Sequence, residues 1–187
     1  MKKYIQFGIW VLTACFVVNV QASDSSWYIG AKGGQMSPDQ SNISSAINAG
    51  ILIGYHLPNN NFGSFAVEAE YTTTSSSADY ETINVGETIR GDVEFETTAL
   101  YGVYRSMGDF YFKGKLGVFN NKIYAEEQTI VGLSVTSTTW SRSESGFSWG
   151  LGAGWKLGNS SSLELEYTKL DDDTEIDYMS IGFIYNF

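Results

Sequence analysis

Ten charged side chains, Lys32, Glu68, Glu70, Glu94, Glu96, Lys113, Lys115, Lys156, Glu164 and Glu166, recur at alternate positions inside otherwise apolar stretches. Side chains two apart in an extended chain share a face, so this spacing can gather carboxylates and ammonium groups into one buried, hydrogen-bonded ion network. Other chemistry is sparse. Gly146-Phe147-Ser148-Trp149-Gly150 fits the string of a nucleophile elbow, but that elbow needs a strand-turn-helix corner and a histidine close by. Here the string lies within a strand-like stretch, and the sole histidine, His56, falls toward the opposite end of another one. A lone histidine makes no metal site; His56 reads as a lumen or turn residue. Asp171-Asp172-Asp173-Thr174-Glu175 could attract Ca²⁺ or Mg²⁺, but it lacks the alternating ligand spacing of a dedicated loop and reads as a solvated turn. No catalytic residue, cofactor or metal site is expected.

The elements that position such a face follow from composition. Twenty glycines, two prolines, 15% aromatic and 17% charged residues in 187 suit short strands joined by turns, neither a helical bundle nor a disordered chain. Eleven basic against twenty-one acidic side chains give a formal charge of −10. So acidic a surface repels phosphate backbones, which excludes nucleic acid as a partner. Lys2 and Lys3, the apolar run Ile5 to Val20, and Val20-Gln21-Ala22 before Ser23 read as a secretory signal over 1–22, leaving a domain over 23–187 with a charge of −12. Leu12-Thr13-Ala14-Cys15 competes as a lipobox that would lipidate Cys15, but the apolar run continues past it. With the only cysteine in the leader, the domain has no disulfide or thiolate chemistry.

Apolar and polar residues alternate in eight stretches: 27–36, 48–57, 64–73, 93–104, 110–119, 147–157, 162–169 and 177–187. Outward positions assigned by phase include Trp27, Ile29 and Ala31; Ile51, Ile53 and Tyr55; Phe65, Val67 and Tyr71; Phe95, Thr97, Ala99, Tyr101 and Val103; Phe110, Phe112, Leu116 and Val118; Phe147, Trp149, Leu151 and Trp155; Leu163 and Leu165. The last stretch adds Met179, Ile181, Phe183, Tyr185 and Phe187. The opposite face holds the ten charges, interleaved with Gly30, Gly50, Gly54, Gly102, Gly117, Gly150, Gly152 and Gly154. A cation facing lipid at mid-membrane costs ~2–4 kcal/mol, so ten misplaced charges would cost on the order of 20 kcal/mol, beyond the ~5–15 that holds a domain together.

Two architectures share this pattern. A soluble lipocalin-like barrel would turn the large apolar residues inward around a ligand, whereas a membrane barrel turns them to lipid and fills a narrow lumen with glycine and charge. Glycine-rich crowding, aromatics near strand ends and the terminal aromatic favour the second. Lipid offers no partners for backbone groups, so the sheet must close. Eight strands of ~10 residues leave about half of the mature length for connections. Pro58 to Gly63, Arg105 to Asp109 and Gly158 to Ser161 read as the short turns, and 74–92 and 120–146 as long loops on the other side. Gly54-Tyr55-His56-Leu57 leading to Glu68-Ala69-Glu70-Tyr71-Thr72 echoes Gly154-Trp155-Lys156-Leu157 leading to Glu164-Leu165-Glu166-Tyr167-Thr168, a duplicated hairpin.

Trp27-Tyr28-Ile29-Gly30-Ala31, Leu100-Tyr101-Gly102-Val103-Tyr104, Lys113-Gly114-Lys115-Leu116-Gly117, Gly152-Ala153-Gly154-Trp155 and the terminal Tyr185-Asn186-Phe187 together resemble the small outer-membrane β-barrel family: OmpX-like proteins, the OmpA transmembrane domain and opacity-type surface antigens. The resemblance implies an all-β, eight-stranded antiparallel up-and-down transmembrane barrel, integral to the Gram-negative outer membrane. It also implies contact with outer-membrane lipid and lipopolysaccharide, and assembly through barrel-assembly machinery that reads Met179, Ile181, Phe183, Tyr185 and Phe187. A peptidoglycan-binding domain as in full-length OmpA is not expected, so cell-wall tethering is not carried over.

Three function classes follow from these readings. A monomeric structural or surface-interaction protein, its lumen blocked by the ion network and its outer segments touching host or envelope proteins, comes first. By analogy with OmpX-like proteins, strands three to six are expected to run on past the membrane as a protruding sheet with a pairable edge; mobile Ser/Thr-rich loops are the alternative. A small-solute or ion channel is second. A lipid-A-modifying barrel enzyme is third, disfavoured because His56 falls on the wrong side.

Overall fold

The computed structural model describes residues 26–38, 44–58, 63–84, 87–131, 134–171 and 175–187. The leader with Cys15, most of the Pro58 to Gly63 turn and the centre of the acidic run lie outside the described residues. Among the described residues alternation produces nine strands: β1 Trp27–Pro38, β2 Ala46–His56, β3 Ser64–Ser76, β4 Ala78–Asn84, β5 Glu87–Arg105, β6 Phe110–Val131, β7 Ser134–Lys156, β8 Ser161–Asp171 and β9 Ile176–Asn186. Sequential neighbours other than β3 and β4 pair antiparallel, β1 also pairs with β9, and β3 and β4 both pair with β5. The nine strands therefore make a closed barrel of eight staves, one of them shared by β3 and β4. Where that stave breaks, Thr74 Oγ1 accepts from the Phe95 amide at 2.7 Å and donates to its carbonyl at 3.2 Å. A side chain thus stands in for the interrupted ladder.

Closure of the seam follows the expected terminal strand. β1 and β9 pair from Tyr28↔Asn186 to Pro38↔Ile176, and the Phe187 amide donates to the Trp27 carbonyl at 3.2 Å. The turn after β5 uses Gly108 at φ 116°, and the one after β7 uses Gly158 at φ 155°, conformations that residues with a Cβ rarely adopt.

The outside of the barrel is apolar. Ile51, Ile53, Val67, Leu100, Phe112, Leu116, Leu151, Leu165, Met179 and Ile181 are all exposed, a continuous band that would be an aggregation liability in water and is ordinary against lipid. Aromatic pairs cap it at the turn end, with Trp27 and Tyr55 5.0 Å apart and Phe65 and Tyr104 5.1 Å apart; Trp149 and Tyr167, 5.9 Å apart, mark the other end. Such belts sit at membrane interfaces. Among the described residues no helix is long and apolar enough to cross a membrane; these strands cross it instead.

Seven of the eight stretches keep the phase assigned from sequence, and β5 reverses it. Phe95, Thr97, Ala99, Tyr101 and Val103 are buried inside, while Glu94 and Gly102 are exposed outside and Glu96 is half-buried there. Glu96 accepts from the exposed Lys122 at 3.3 Å. The physical reason is position along the strand: Glu94 and Glu96 lie past the apolar band, where an outward charge meets water rather than lipid. Lys156 is also corrected. It falls on the inward phase, but at the mouth of the barrel, where it is exposed.

Candidate functional site

Lumen residues arrive in pairs because strands deliver side chains two at a time: Glu68 and Glu70 from β3, Lys113 and Lys115 from β6, Glu164 and Glu166 from β8. Lys32 comes from β1 and Arg105 from β5. All eight are buried, and four cations balance four carboxylates. In the tier nearer the turns, Arg105 Nε donates to Glu164 Oε1 at 2.8 Å and Nη2 to Glu68 Oε2 at 2.9 Å. Lys113 Nζ bonds Glu68 Oε1 at 3.1 Å, Glu164 Oε2 at 2.9 Å and Glu166 Oε2 at 2.7 Å, tying this tier to the next. There Lys115 Nζ reaches Glu70 Oε1 at 2.7 Å and Glu166 Oε1 at 2.6 Å, and Lys32 bonds the same two glutamates. Burying eight charges is tolerable only because each finds counter-charges and hydrogen bonds.

The duplicated hairpin continues into three dimensions. Tyr28↔Gly54 in β1–β2 and Gly54↔Glu68 in β2–β3 repeat as Tyr111↔Gly154 and Gly154↔Glu164 in β6–β7–β8. Tyr28 donates to Glu68 Oε2 and Tyr111 to Glu164 Oε1, each at 2.8 Å. A Cβ on Gly54 would lie 2.0 Å from the Tyr28 ring, and one on Gly154 2.2 Å from the Tyr111 ring, so both glycines are the hollows that seat these tyrosines. Lys32 lies 5.2 Å from the Tyr178 ring and Lys115 4.0 Å from the Tyr101 ring. Lys113 takes the place that Gly30 holds in the first repeat, and Arg105 comes from β5 outside both; they supply the two further positive charges that balance the four glutamates.

Of the ten charges expected to meet, the structure brings together Lys32, Glu68, Glu70, Lys113, Lys115, Glu164 and Glu166, and leaves out Glu94, Glu96 and Lys156. Arg105, Tyr28 and Tyr111 join from outside that set. Arg105 reads in sequence as the first residue of a turn, yet it is two residues from Val103 and four from Tyr101, the parity that would have revealed the true inner face of β5.

Above the ions, Met36, Phe95, Phe119, Ile123, Leu170 and Ile176, all buried, close the outer mouth. A small gap lined by Lys32, Leu52, Lys113, Glu164, Glu166, Ser180, Gly182 and Ile184 has room for about one water molecule. Among the described residues, the buried charged tiers and this apolar layer occupy the lumen. Purified protein in planar bilayers is accordingly expected to show no large stable openings in single-channel recordings; sustained conductance steps would contradict a filled barrel.

The other chemistry considered from sequence stays apart. Ser148 is buried, 3.0 Å from Tyr101 Oη and donating to the Lys169 carbonyl at 2.9 Å. His56 contacts Ser64 Oγ at 2.8 Å and Asn186 Oδ1 at 3.1 Å at the turn end of β2. Glu68, Glu70 and Glu166 offer oxygens within 4.8 Å of one another, but lysines already occupy their oxygens, so a metal ion would meet ammonium groups there.

A second candidate site lies beyond the outer mouth. β7 leaves β8 at Phe147↔Asp171, and β5 leaves β3 at Glu96↔Thr73. β4 to β7 nevertheless keep pairing, β4–β5 to Asn84↔Glu87, β5–β6 to Glu87↔Val131 and β6–β7 to Val131↔Ser134. They form a four-stranded sheet standing off the barrel, the protrusion anticipated for strands three to six.

The outer membrane protein β-barrel domain family matches residues 7–187. No curated protein matches the chain. Among solved structures, OprG of Pseudomonas aeruginosa superposes with a TM-score of 0.59 at 14% identity, covering 90% of this chain and 100% of its own. Ail of Yersinia pestis gives 0.52 at 18%, covering 87% and 97%, and the neisserial surface protein NspA 0.53 at 16%, covering 87% and 98%. Ail has also been crystallised with the heparin analogue sucrose octasulfate.

Proposed function

Because this chain belongs to the outer membrane protein β-barrel domain family, and is thus an integral protein of the Gram-negative outer membrane, we propose that it is a surface-interaction protein rather than a pore or an enzyme. The barrel is the anchor, and the four-stranded sheet is the part that works. One observation carries this reading: the sheet remains paired for more than ten residues past the rim, an investment in ordered backbone that an anchor alone does not need. The ion network and the apolar closure above it support the anchor role, since they fill the lumen instead of lining a passage.

On this reading the leader over 1–22 is removed on export, and the terminal strand with Met179, Ile181, Phe183, Tyr185 and Phe187 serves assembly. Lipopolysaccharide surrounds the monomeric barrel, and the partner, a host or envelope protein, meets the sheet. A polyanion of the kind bound to Ail does not suit this chain. Residues 78–96 and 120–145 carry nine acidic and three basic side chains, a field that draws cationic partners.

The test removes 76–90 and 122–144, joining the strands by short turns. Adhesion of expressing cells to host cells and their survival in serum are expected to fall at least tenfold, with heat-modifiable migration on gels retained as proof of an intact barrel. Unchanged adhesion and survival with an intact barrel would defeat the proposal.

A further inference from the structure

Along the lumen face of β9 the inward residues are Tyr178, Ser180, Gly182 and Ile184, and none carries a charge. Both strands beside it do. Gly182 stands opposite Lys32 of β1 and Glu164 of β8, and Ser180 opposite Gly34 and Glu166. The charged heads turn across the lumen, Lys32 to Glu70 on β3 and both glutamates to Lys113 on β6. The space beside β9 is thereby left to two of the smallest residues, Ser180 and Gly182, which line the small gap together with Lys32, Lys113, the two glutamates, Leu52 and Ile184.

Three of these walls suit a water molecule. Ser180 is 3% exposed, and its Oγ has no hydrogen-bond partner among the described residues, a state that costs stability and that buried hydroxyls seldom keep. Lys32 Nζ bonds Glu70 and Glu166, two partners for three hydrogens. Glu166 Oε2 meets only Lys113 among the described residues, at 2.7 Å, and has a lone pair to spare. A donor, an acceptor and a hydroxyl that can act as either make up the two to four partners that a buried water needs, in a space that admits about one. An ion suits the same space badly. Four buried cations already balance four buried carboxylates, so a halide or a metal ion would bring an uncompensated charge away from bulk water.

We propose that this gap is a binding site for one ordered water molecule, which accepts from Lys32 Nζ, donates to Glu166 Oε2 and pairs with Ser180 Oγ. Through it the closing strand β9 is tied to the ions carried by β1 and β8. The site also gives Gly182 a role that the strand itself does not. The obstacles nearest to a Cβ there are Lys32 Cβ at 3.4 Å and the Ala31 carbonyl oxygen at 3.5 Å, ordinary contact distances, so alanine fits the backbone and takes its room from the water.

The test uses the full-length protein, crystallised from a lipidic mesophase with sodium bromide as the salt, and unfolded by urea in phosphatidylcholine vesicles. Density for one water is expected about 2.7–3.2 Å from Ser180 Oγ, with no anomalous bromide signal. Ser180→Ala removes one partner of the water and Gly182→Ala takes its space. Each is expected to lower the folding equilibrium constant about fivefold, the worth of one hydrogen bond, with the heat-modifiable gel shift kept. A dry gap reverses both signs, because losing an unpaired buried hydroxyl relieves its desolvation cost and alanine at an unhindered strand glycine restricts the unfolded chain. Unchanged or raised stability in either variant, a wild-type crystal without density beside Ser180, or a bromide peak there would each overturn the proposal, the last in favour of a halide site. Should a variant fail to fold, the wild-type density decides alone.

Discussion

Lys113→Met is expected to cost about 3–5 kcal/mol of unfolding free energy, the range for removing one partner of a buried ion pair. Lys113 touches Glu68, Glu164 and Glu166, whereas Lys32, Lys115 and Arg105 each reach two carboxylates, so among the lumen cations its loss leaves the most carboxylates short of a partner. Four positive and four negative groups balance in the wild type; the variant holds three against four in a lumen closed to bulk water. Urea titration in phospholipid vesicles, followed by tryptophan fluorescence, reads the loss. The exposed Lys122, 3.3 Å from Glu96, provides the contrast, because a solvated pair contributes only about 0–1 kcal/mol. A double variant, Lys113→Met with Glu164→Gln, removes one charge of each sign and is expected to recover a large part of the loss. If Lys113→Met unfolded at the wild-type urea concentration, the lumen charges would have to be hydrated, and the filled-barrel picture would be wrong.

The same network shows where sequence alone suffices. For Glu68, Glu70, Glu164 and Glu166 the phase is unmistakable, because leucine, alanine, valine and tyrosine alternate with the acids inside the lipid-crossing part of each strand. β5 misleads because one strand passes through two solvents. Its outer half carries Glu94 and Glu96 on the face that meets water, and its inner half carries Tyr101 and Val103 on the face that meets the lumen. A rule that sends charges inward is valid only within the hydrocarbon layer, and the acids at the top of β5 fixed the wrong parity for the residues below. Arg105 carries the opposite information, but its place just before Gly108 makes it read as the start of a turn. The joining of Glu68 to Glu164 by one guanidinium lies outside any pattern in the sequence, since it depends on how far the barrel brings β3, β5 and β8 together. The repeat, by contrast, was visible as Gly54…Glu68 and Gly154…Glu164, and the matching strand register is its structural consequence.

Glycine placement yields the second large effect. Gly34 and Gly117 face inward at equivalent places in the two repeats, opposite Asn48 and Ser148. A Cβ on Gly34 would come 2.0 Å from the Met179 carbonyl oxygen, and one on Gly117 2.0 Å from the Leu100 carbonyl oxygen. Both obstacles are backbone atoms of a neighbouring strand, which cannot turn aside as a tyrosine ring could, so the strands themselves must separate and weaken their ladder. Gly34→Ala and Gly117→Ala are each expected to destabilise by about 2–3 kcal/mol, the upper part of the range for overpacking, and together to abolish the heat-modifiable band. Gly33 and Gly114 face lipid one residue before Gly34 and three before Gly117, with the nearest obstacle to a Cβ at 3.8 Å for Gly33 and none within 4 Å for Gly114. Alanine there restricts the unfolded chain without a clash, and stability should hold or rise by about 0.5–1 kcal/mol. Equal losses at all four positions would mean that backbone freedom, not room inside the barrel, explains the glycines, and the close approach of β1 to β9 and of β6 to β5 would lose its support.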